Sequence, residues 1–363
     1  MGRADCEMGA SDGGLGGLTK KPTIDDVAAR AGVARTTVSR VLNNGPNVRD
    51  EVRDKVRTAV AELGYQVNVQ ARYLASGSSR QLALVHATDL DVEPNSYYHS
   101  GLELGAMRAC ADLGYVLVTH TANPAKPEDR ARIRRLAESG SYDGVILTPP
   151  YSDDVELVES LRELEFPIVL ISAGPEASKY AASVGIDDRK AGIELGQFLV
   201  REGHKSFAYI DGPTDHISAG LRLEGFMKAV ADAGLDAGVV KVLKGNFTFR
   251  AGVELSAQAL GWQPRPSALV CANDDMAAGA LFSAHRLGLS IPADVSITGF
   301  DDTPVSEIVW PPLTTVHQPL RQIGGKAVEL LVGSIQNKHD PADIVGGIYV
   351  PFQLIERAST APR

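Results

Sequence analysis

The sequence is poor in cysteine and lacks any long apolar run, and both absences narrow the field. Its three cysteines, Cys6, Cys110 and Cys271, are widely separated and odd in number, which argues against a disulfide framework or a paired-cysteine metal site and suits a reducing compartment. No stretch of about 18 apolar residues occurs, and the first residues do not pass from a basic to an apolar region, so neither a membrane span nor a secretory leader is expected. The eight histidines are scattered without HExxH spacing, and neither a GxSxG elbow nor a GxxxxGK[ST] loop is present, so the common hydrolase and phosphate-loop chemistries lack their signatures. Acidic pairs such as Asp187 with Asp188, or Asp301 with Asp302, sit in strand-like stretches where neighbouring side chains face opposite ways, a poor arrangement for a general acid and base. No enzymatic activity, cofactor or metal is expected.

The chain has 363 residues, 44% hydrophobic and 22% charged, an ordinary soluble composition with length enough for two or three domains. Its net charge of −9 is unevenly spread: residues 20–80 hold eleven basic and six acidic side chains, a local +5. A cationic module on an acidic body fits a protein whose front alone meets phosphates. Residues 1–19 are rich in glycine, have no apolar period and read as a disordered extension.

Residues 23–43, TIDDVAARAGVARTTVSRVLN, read as two short helices broken at Gly32. Thr23 followed by Asp26 fits a capping box, and Ile24, Val27, Ala28 and Ala31 share one helical face. Gly32 suits the positive φ of a tight turn, and Val33, Val38, Val41 and Leu42 give the second helix its apolar side. Arg35, Thr36, Ser39 and Arg40 then face outward, although an Arg-rich helix face is most often only solvated. Arg can fork onto guanine N7 and O6, and Thr can touch the thymine methyl. Asn43, Asn44, Gly45 and Pro46 stop the helix, and a third runs from about 49 to 63 with Val52, Val56, Ala59, Val60 and Leu63 inward. Residues 71–74 allow one or two helical turns before a Ser-rich linker, too few to be stable alone.

Beyond residue 80, short apolar runs alternate with helical stretches. Strands are expected at 82–88, 115–121, 144–149, 167–172, 183–187, 206–212, 239–245, 268–274 and 295–302, which points to two Rossmann-like parallel sheets in an α/β body. Ligands of such sheets lie beyond the carboxyl ends of the strands, here in a crevice between the lobes. Asn273, Asp274, Asp275, Asp301 and Asp302 end strands, Arg222 offers forked donors, and Phe247 offers an apolar face for a pyranose. Taken singly, these are more often a helix cap, a surface charge and a core side chain.

Residues 23–43 with ELGYQVN and ARYLASG resemble the headpiece and hinge of the LacI/GalR family of bacterial transcription regulators. RLEGF, ANDDMAAGAL, SITGFDDTP and PPLTTVHQP resemble its effector domain, which is similar to type I periplasmic sugar-binding proteins, and the likeness extends to about residue 358. The resemblance implies Arg35 and Thr36 as variable base readers, Arg40 as the near-constant one, and Thr37 and Ser39 as phosphate or base contacts. Thr23, Asn43 and Arg49 complete the DNA-binding set, with Leu74 wedging into the minor groove. It also implies Arg222, Asn273 and Asp301 as ligands of sugar hydroxyls, Phe247 as the stacking ring, and Asp89, Ser96 and Tyr97 as contacts after the first strand. Ser172 stands where sugar-responsive members often have Asp, and DLDVEPNSYYHS departs from the usual loop. Ala34 and Arg49 replace capping serines, and Val67 replaces a proline.

The expected domains are a helix-turn-helix headpiece at 20–66, a hinge helix and linker at 67–80, and a two-lobed effector and dimerisation domain at 81–358. The first lobe spans about 81–182 plus 317–345, the second about 183–316 plus 346–358, and 359–363 form a tail. The expected protein is a cytoplasmic repressor, dimeric with the tetramer left open, that binds operator DNA under control of a small sugar or sugar derivative bound between the lobes. The alternatives are a sugar-binding or chemosensory receptor without DNA activity, and a regulator answering to a purine.

Overall fold

The computed structural model describes residues 22–42, 45–65, 78–87, 96–336 and 347–363. The chain divides into two compact units, one ending at Gly77 and the other beginning at Ser78. Helices α1 (Ile24–Ala31), α2 (Arg35–Leu42) and α3 (Asp50–Leu63) form the first unit. Thr23 caps α1 as its sequence requires. The hydroxyl accepts the Asp26 N–H at 3.3 Å, and the Asp26 carboxylate accepts the Thr23 N–H at 2.7 Å. Gly32 ends α1 at φ 65°, its N–H turned to the carbonyls of Ala28 and Ala29, a conformation that favours glycine. Val27, Val38 and Val56 are wholly buried with Ala28, Val41 and Ala59 beside them, so one apolar stripe per helix closes the core. Arg49 precedes α3 without a side-chain cap. Thr23→Ala should cost about 1 kcal/mol of headpiece stability. Hydrogen exchange of the α1 amides should then quicken several-fold, and unchanged protection would show the capping box to be idle.

The second unit holds all nine expected strands, as β1 (Gln81–Ala87), β2 (Val116–Ala122), β3 (Gly144–Leu147), β4 (Ile168–Ile171), β5 (Ala182–Gly185), β6 (Phe207–Asp211), β7 (Val240–Lys244), β8 (Ala268–Cys271) and β9 (Ser296–Thr298). Three more were not foreseen: β10 (Thr315–His317), β11 (Gly347–Tyr349) and β12 (Gln353–Ile355). Each has three residues, too few to show a period. A six-stranded parallel sheet, ordered β11-β5-β4-β3-β1-β2, makes the first lobe, and a four-stranded parallel sheet, β7-β6-β8-β9, makes the second. Antiparallel β10 and β12 form a small third sheet.

The expected boundaries need three corrections. β5 lies between β4 and β11 with all four residues buried, so residues 183–185 and 347–349 belong to the first lobe, because a buried strand needs a ladder on both sides. Ser79 N–H and hydroxyl, with Arg80 N–H, bond the Asp143 carboxylate at 2.7 to 3.0 Å, so residues 78–80 are fastened to the body and are not linker. The supposed tail is held too. Ser359 is fully buried, accepts the Thr314 N–H at 2.8 Å and donates to the Ile297 carbonyl at 2.6 Å, and Arg363 N–H reaches the Glu202 carbonyl. Polar residues satisfied along a sheet edge leave no apolar pattern to read.

The helices of the body are α4 (Ser96–Leu113), α5 (Pro127–Glu138), α6 (Val155–Glu163), α7 (Asp188–Arg201), α8 (Ile217–Asp232), α9 (Phe249–Leu260), α10 (Asp274–Arg286), α11 (Val305–Ile308) and α12 (Leu320–Ile335). Among the described residues no helix is long and apolar enough to cross a membrane. Helices α7 and α8 cross at contact distance. A Cβ on Gly192 would lie 2.0 Å from the Arg222 carbonyl oxygen, and one on Gly225 would lie 2.0 Å from that of Arg189. Glycine at both positions lets the backbones touch and brings the start of α7 beside Arg222.

Candidate functional site

Most of the residues expected to meet DNA lie on α2. Arg35, Thr36 and Arg40 are exposed, while Thr37 and Ser39 are half-buried. Val38 and Val41 point into the core, which turns the two arginines away from it. Arg35 Nη1 lies 3.5 Å from Asp25, both side chains well exposed, a pairing worth about 0–1 kcal/mol and readily exchanged for a base. Arg49 is exposed beside α3, and Thr23 spends its hydroxyl on the capping box. Asn43 and Leu74 lie outside the described residues.

In the body, the carboxyl ends of β5, β8 and β9 converge on one guanidinium. Arg222 Nε donates to Asp188 Oδ1 at 2.7 Å, Nη1 donates to the Ala272 carbonyl at 3.0 Å, and Nη1 lies 3.9 Å from Asp301 Oδ1. Its plane lies over the Phe300 ring, 3.8 Å from the centroid. All three charged groups are buried. Fixed in this way, Arg222 commits Nε and Nη1 to acceptors of the protein. Asp301 holds φ at 104° and accepts a 2.7 Å bond from Gln318 Nε2. Burial pushes its pKa up to about 7 against the pull of Arg222 and Gln318.

Aromatic rings border this group. Phe247, at φ 65°, lies against Gly212, where a Cβ would stand 2.3 Å from Cζ, and meets the His216 ring edge-on at 5.1 Å. Asn273 holds that loop in place: its oxygen caps α10 at Met276 N–H, and its nitrogen donates to the Phe247 carbonyl at 2.9 Å. The amide expected to bind hydroxyls thus spends much of its capacity on structure. His86 and His99 stack at 4.2 Å. Burial lowers the His86 pKa to about 3 and those of His99 and His216 to about 4, so all three rings are neutral at pH 7.

Ser172 is buried at φ 48° at the end of β4. Tyr97 is not brought to Arg222. It lines a cavity of about 700 Å³ with Asp301, Asp302, His317 and Gln318, and the next residue, Tyr98, is the one that feels Asp301, Arg222 and Asp188. One helical residue is a 100° turn, which explains the exchange. Asp89 lies outside the described residues, as does the side chain of Ser96. Asp188, Tyr98, His99 and His216 were missed as ligand candidates. The strand-end rule that singled out Asp301 would also have found Asp188 after β5 and His216 after β6. No group of three His, Cys, Asp or Glu side chains among the described residues could hold a metal ion.

A second helix with outward-turned arginines on a small three-helix headpiece and a two-lobed body with polar groups at its strand ends define a class: helix-turn-helix transcription regulators with a periplasmic-binding-protein-like body. Residues 23–68 match the family of bacterial regulatory proteins, lacI family, and residues 197–360 match a periplasmic binding protein-like domain. The chain is 32% identical over 340 residues to the HTH-type transcriptional repressor PurR of Proteus mirabilis (strain HI4320), covering 93% of this chain and 97% of that one. Against the PurR repressor of Vibrio vulnificus (strain CMCP6) it is 34% identical over 325 residues, covering 88% and 93%. Among solved structures, the transcriptional regulator CelR–cellobiose complex is similar at 30% identity with a TM-score of 0.69, covering 93% of this chain and 99% of that one. The lac repressor dimer bound to operator and the anti-inducer ONPF is similar at 27% identity with a TM-score of 0.80, covering 94% and 100%.

This chain therefore belongs to the LacI family of bacterial regulatory proteins. It is a DNA-binding transcriptional repressor with a small-molecule effector, and not an enzyme.

Proposed function

We propose that the effector is a small sugar or sugar derivative held between the two lobes, and that the chain represses as a cytoplasmic homodimer. The observation that carries this reading is Arg222, clamped among Asp188, Asp301 and Phe300 at the strand ends. The surrounding imidazoles are neutral and the Arg222–Asp188 charges cancel, leaving carboxylate acceptors, guanidinium donors and the faces of Phe247 and Tyr98. Such a mixture suits an uncharged ring bearing hydroxyls. Likeness to a regulator solved with cellobiose supports it. In this reading Arg35, Thr36, Thr37, Ser39 and Arg40 meet the operator, and closing of the lobes on the sugar weakens that grip. A coupling of about 1–3 kcal/mol would change operator affinity about 5- to 150-fold.

Asp301→Ala should abolish the response of operator binding to sugar while leaving sugar-free operator binding intact; an unchanged titration would remove Asp301 from the site. Acidity gives a second check on the same residue. Ligand hydroxyls donate to the ionised carboxylate, and Asp301 gains its proton as pH falls through about 7. Sugar affinity should then decline below pH 7, by up to about tenfold per unit, and equal affinity at pH 6 and pH 8 would contradict the contact. The second reading, a purine effector, is favoured by the likeness to repressors named PurR. Melting temperatures of the protein with a panel of sugars and purine bases decide between them, since only a true ligand raises the transition.

A further inference from the structure

Helix α8 begins at Ile217 without a cap of its own, for His216 before it makes no side-chain capping bond. The missing acceptor comes from the other lobe. Asp153, in the turn that follows β3, accepts the Ile217 N–H on Oδ2 at 3.3 Å and the Gly174 N–H on Oδ1 at 2.7 Å. One carboxylate thus ties two first-lobe segments, those after β3 and β4, to the first turn of a second-lobe helix. Gly174 lies directly against Ile217. A Cβ at position 174 would stand 2.7 Å from Ile217 Cγ2 and 3.3 Å from Asp153 Oδ1. Gly174 is not among the residues with positive φ, so the close approach, and not the backbone conformation, requires glycine there.

We infer that Asp153 is the latch that holds the lobes together over the effector cleft, acting as an N-cap lent to α8 across the gap, with Gly174 as the flat seat for Ile217. A carboxylate at a helix N-terminus satisfies free N–H groups and lies at the positive end of the helix dipole. When the lobes part, both the carboxylate and the amide turn to water, so the latch costs little to undo and suits a cleft that must open. Burial, with the charges of Asp188 and Asp215, raises the pKa of the same carboxyl to about 6. The latch also sets the site. Arg222 lies five residues beyond Ile217 on α8, so seating the start of that helix fixes where the guanidinium sits. Asp153 is accordingly a positioning residue for effector binding, beyond the groups assigned to the ligand itself.

The test needs no effector, so its failure is distinct from failure of the sugar reading. In the full chain with Cys6→Ser, spin labels are placed on Glu163→Cys of the first lobe and Ala233→Cys of the second, both exposed; Cys110 and Cys271 are buried and stay unlabelled. Pulsed dipolar spectroscopy then reads the distance between lobes. Asp153→Ala, which removes the attraction, and Gly174→Ala, which inserts a methyl beneath Ile217, should each raise the long-distance population at least fivefold over the parent. Asp153→Asn, which keeps one acceptor oxygen, should fall between. Circular dichroism and operator binding report that each variant is folded, and the two main substitutions fail independently. Distance distributions for Asp153→Ala and Gly174→Ala that coincide with the parent's would overturn the proposal.

Discussion

Arg222→Ala is expected to destabilise the body by about 3–5 kcal/mol and to abolish effector binding in the same step. The guanidinium is 5% exposed, and its Nε bond to Asp188 spans 2.7 Å. Removing it leaves Asp188, itself 5% exposed, as a buried carboxylate with no countercharge. Burial already pushes the Asp188 pKa upward against the opposing pull of Arg222. Without that pull the carboxyl takes up a proton instead of remaining charged, and the Ala272 carbonyl loses its donor. Much of the loss therefore reflects an orphaned partner more than the worth of the pair, and a double-mutant cycle separates the two. Asp188→Ala with Arg222→Ala should be less destabilised in urea unfolding than the sum of the single variants, by about 1–3 kcal/mol. Additive losses would show that the two side chains act separately. The double variant should still bind no effector, because the forked donors are gone in either background.

Arg222 also shows what the sequence could and could not disclose. Most strands of the body announced themselves by a run of four or more apolar residues, as in β3 and β8, both wholly buried. The three-residue strands β10, β11 and β12 did not, and misplacing β11 put the lobe boundary wrong. Strand-end polarity singled out Asp301 because a carboxylate follows an apolar run. The ion pair with Asp188 was invisible: it joins helices α7 and α8 at a crossing set by Gly192 and Gly225, and nothing along the chain marks two glycines 33 residues apart as partners. Tyr97 and Tyr98 are equivalent in type, so only the phase of α4 decides which one turns towards Arg222. Asp153 meets α8 only across the gap between lobes. What was legible was local pattern; what was hidden was contact between segments distant in sequence.

In the headpiece, Arg40→Ala should weaken binding to the true operator by about 1–3 kcal/mol, or roughly 5- to 150-fold, while changing affinity for random duplex far less. The Arg40 side chain is exposed and has no ion-pair partner among the described residues, so in this reading no ion pair has to part before it reaches a base. Arg35 starts from a different state, since it faces Asp25 at 3.5 Å and must leave that pair to reach DNA. Arg35→Ala should therefore lose less than Arg40→Ala, and Asp25→Ala should strengthen binding slightly by freeing the guanidinium. Salt distinguishes base readers from phosphate contacts. Loss of a phosphate contact lowers the slope of log affinity against log salt by about one and affects all sequences alike, whereas loss of a base contact leaves the slope and relaxes preference at a single base pair. If Arg40→Ala lowered affinity for operator and random duplex equally and flattened the salt slope, Arg40 would be an anchor on the backbone, and discrimination would pass to Arg35, Thr36 and Ser39.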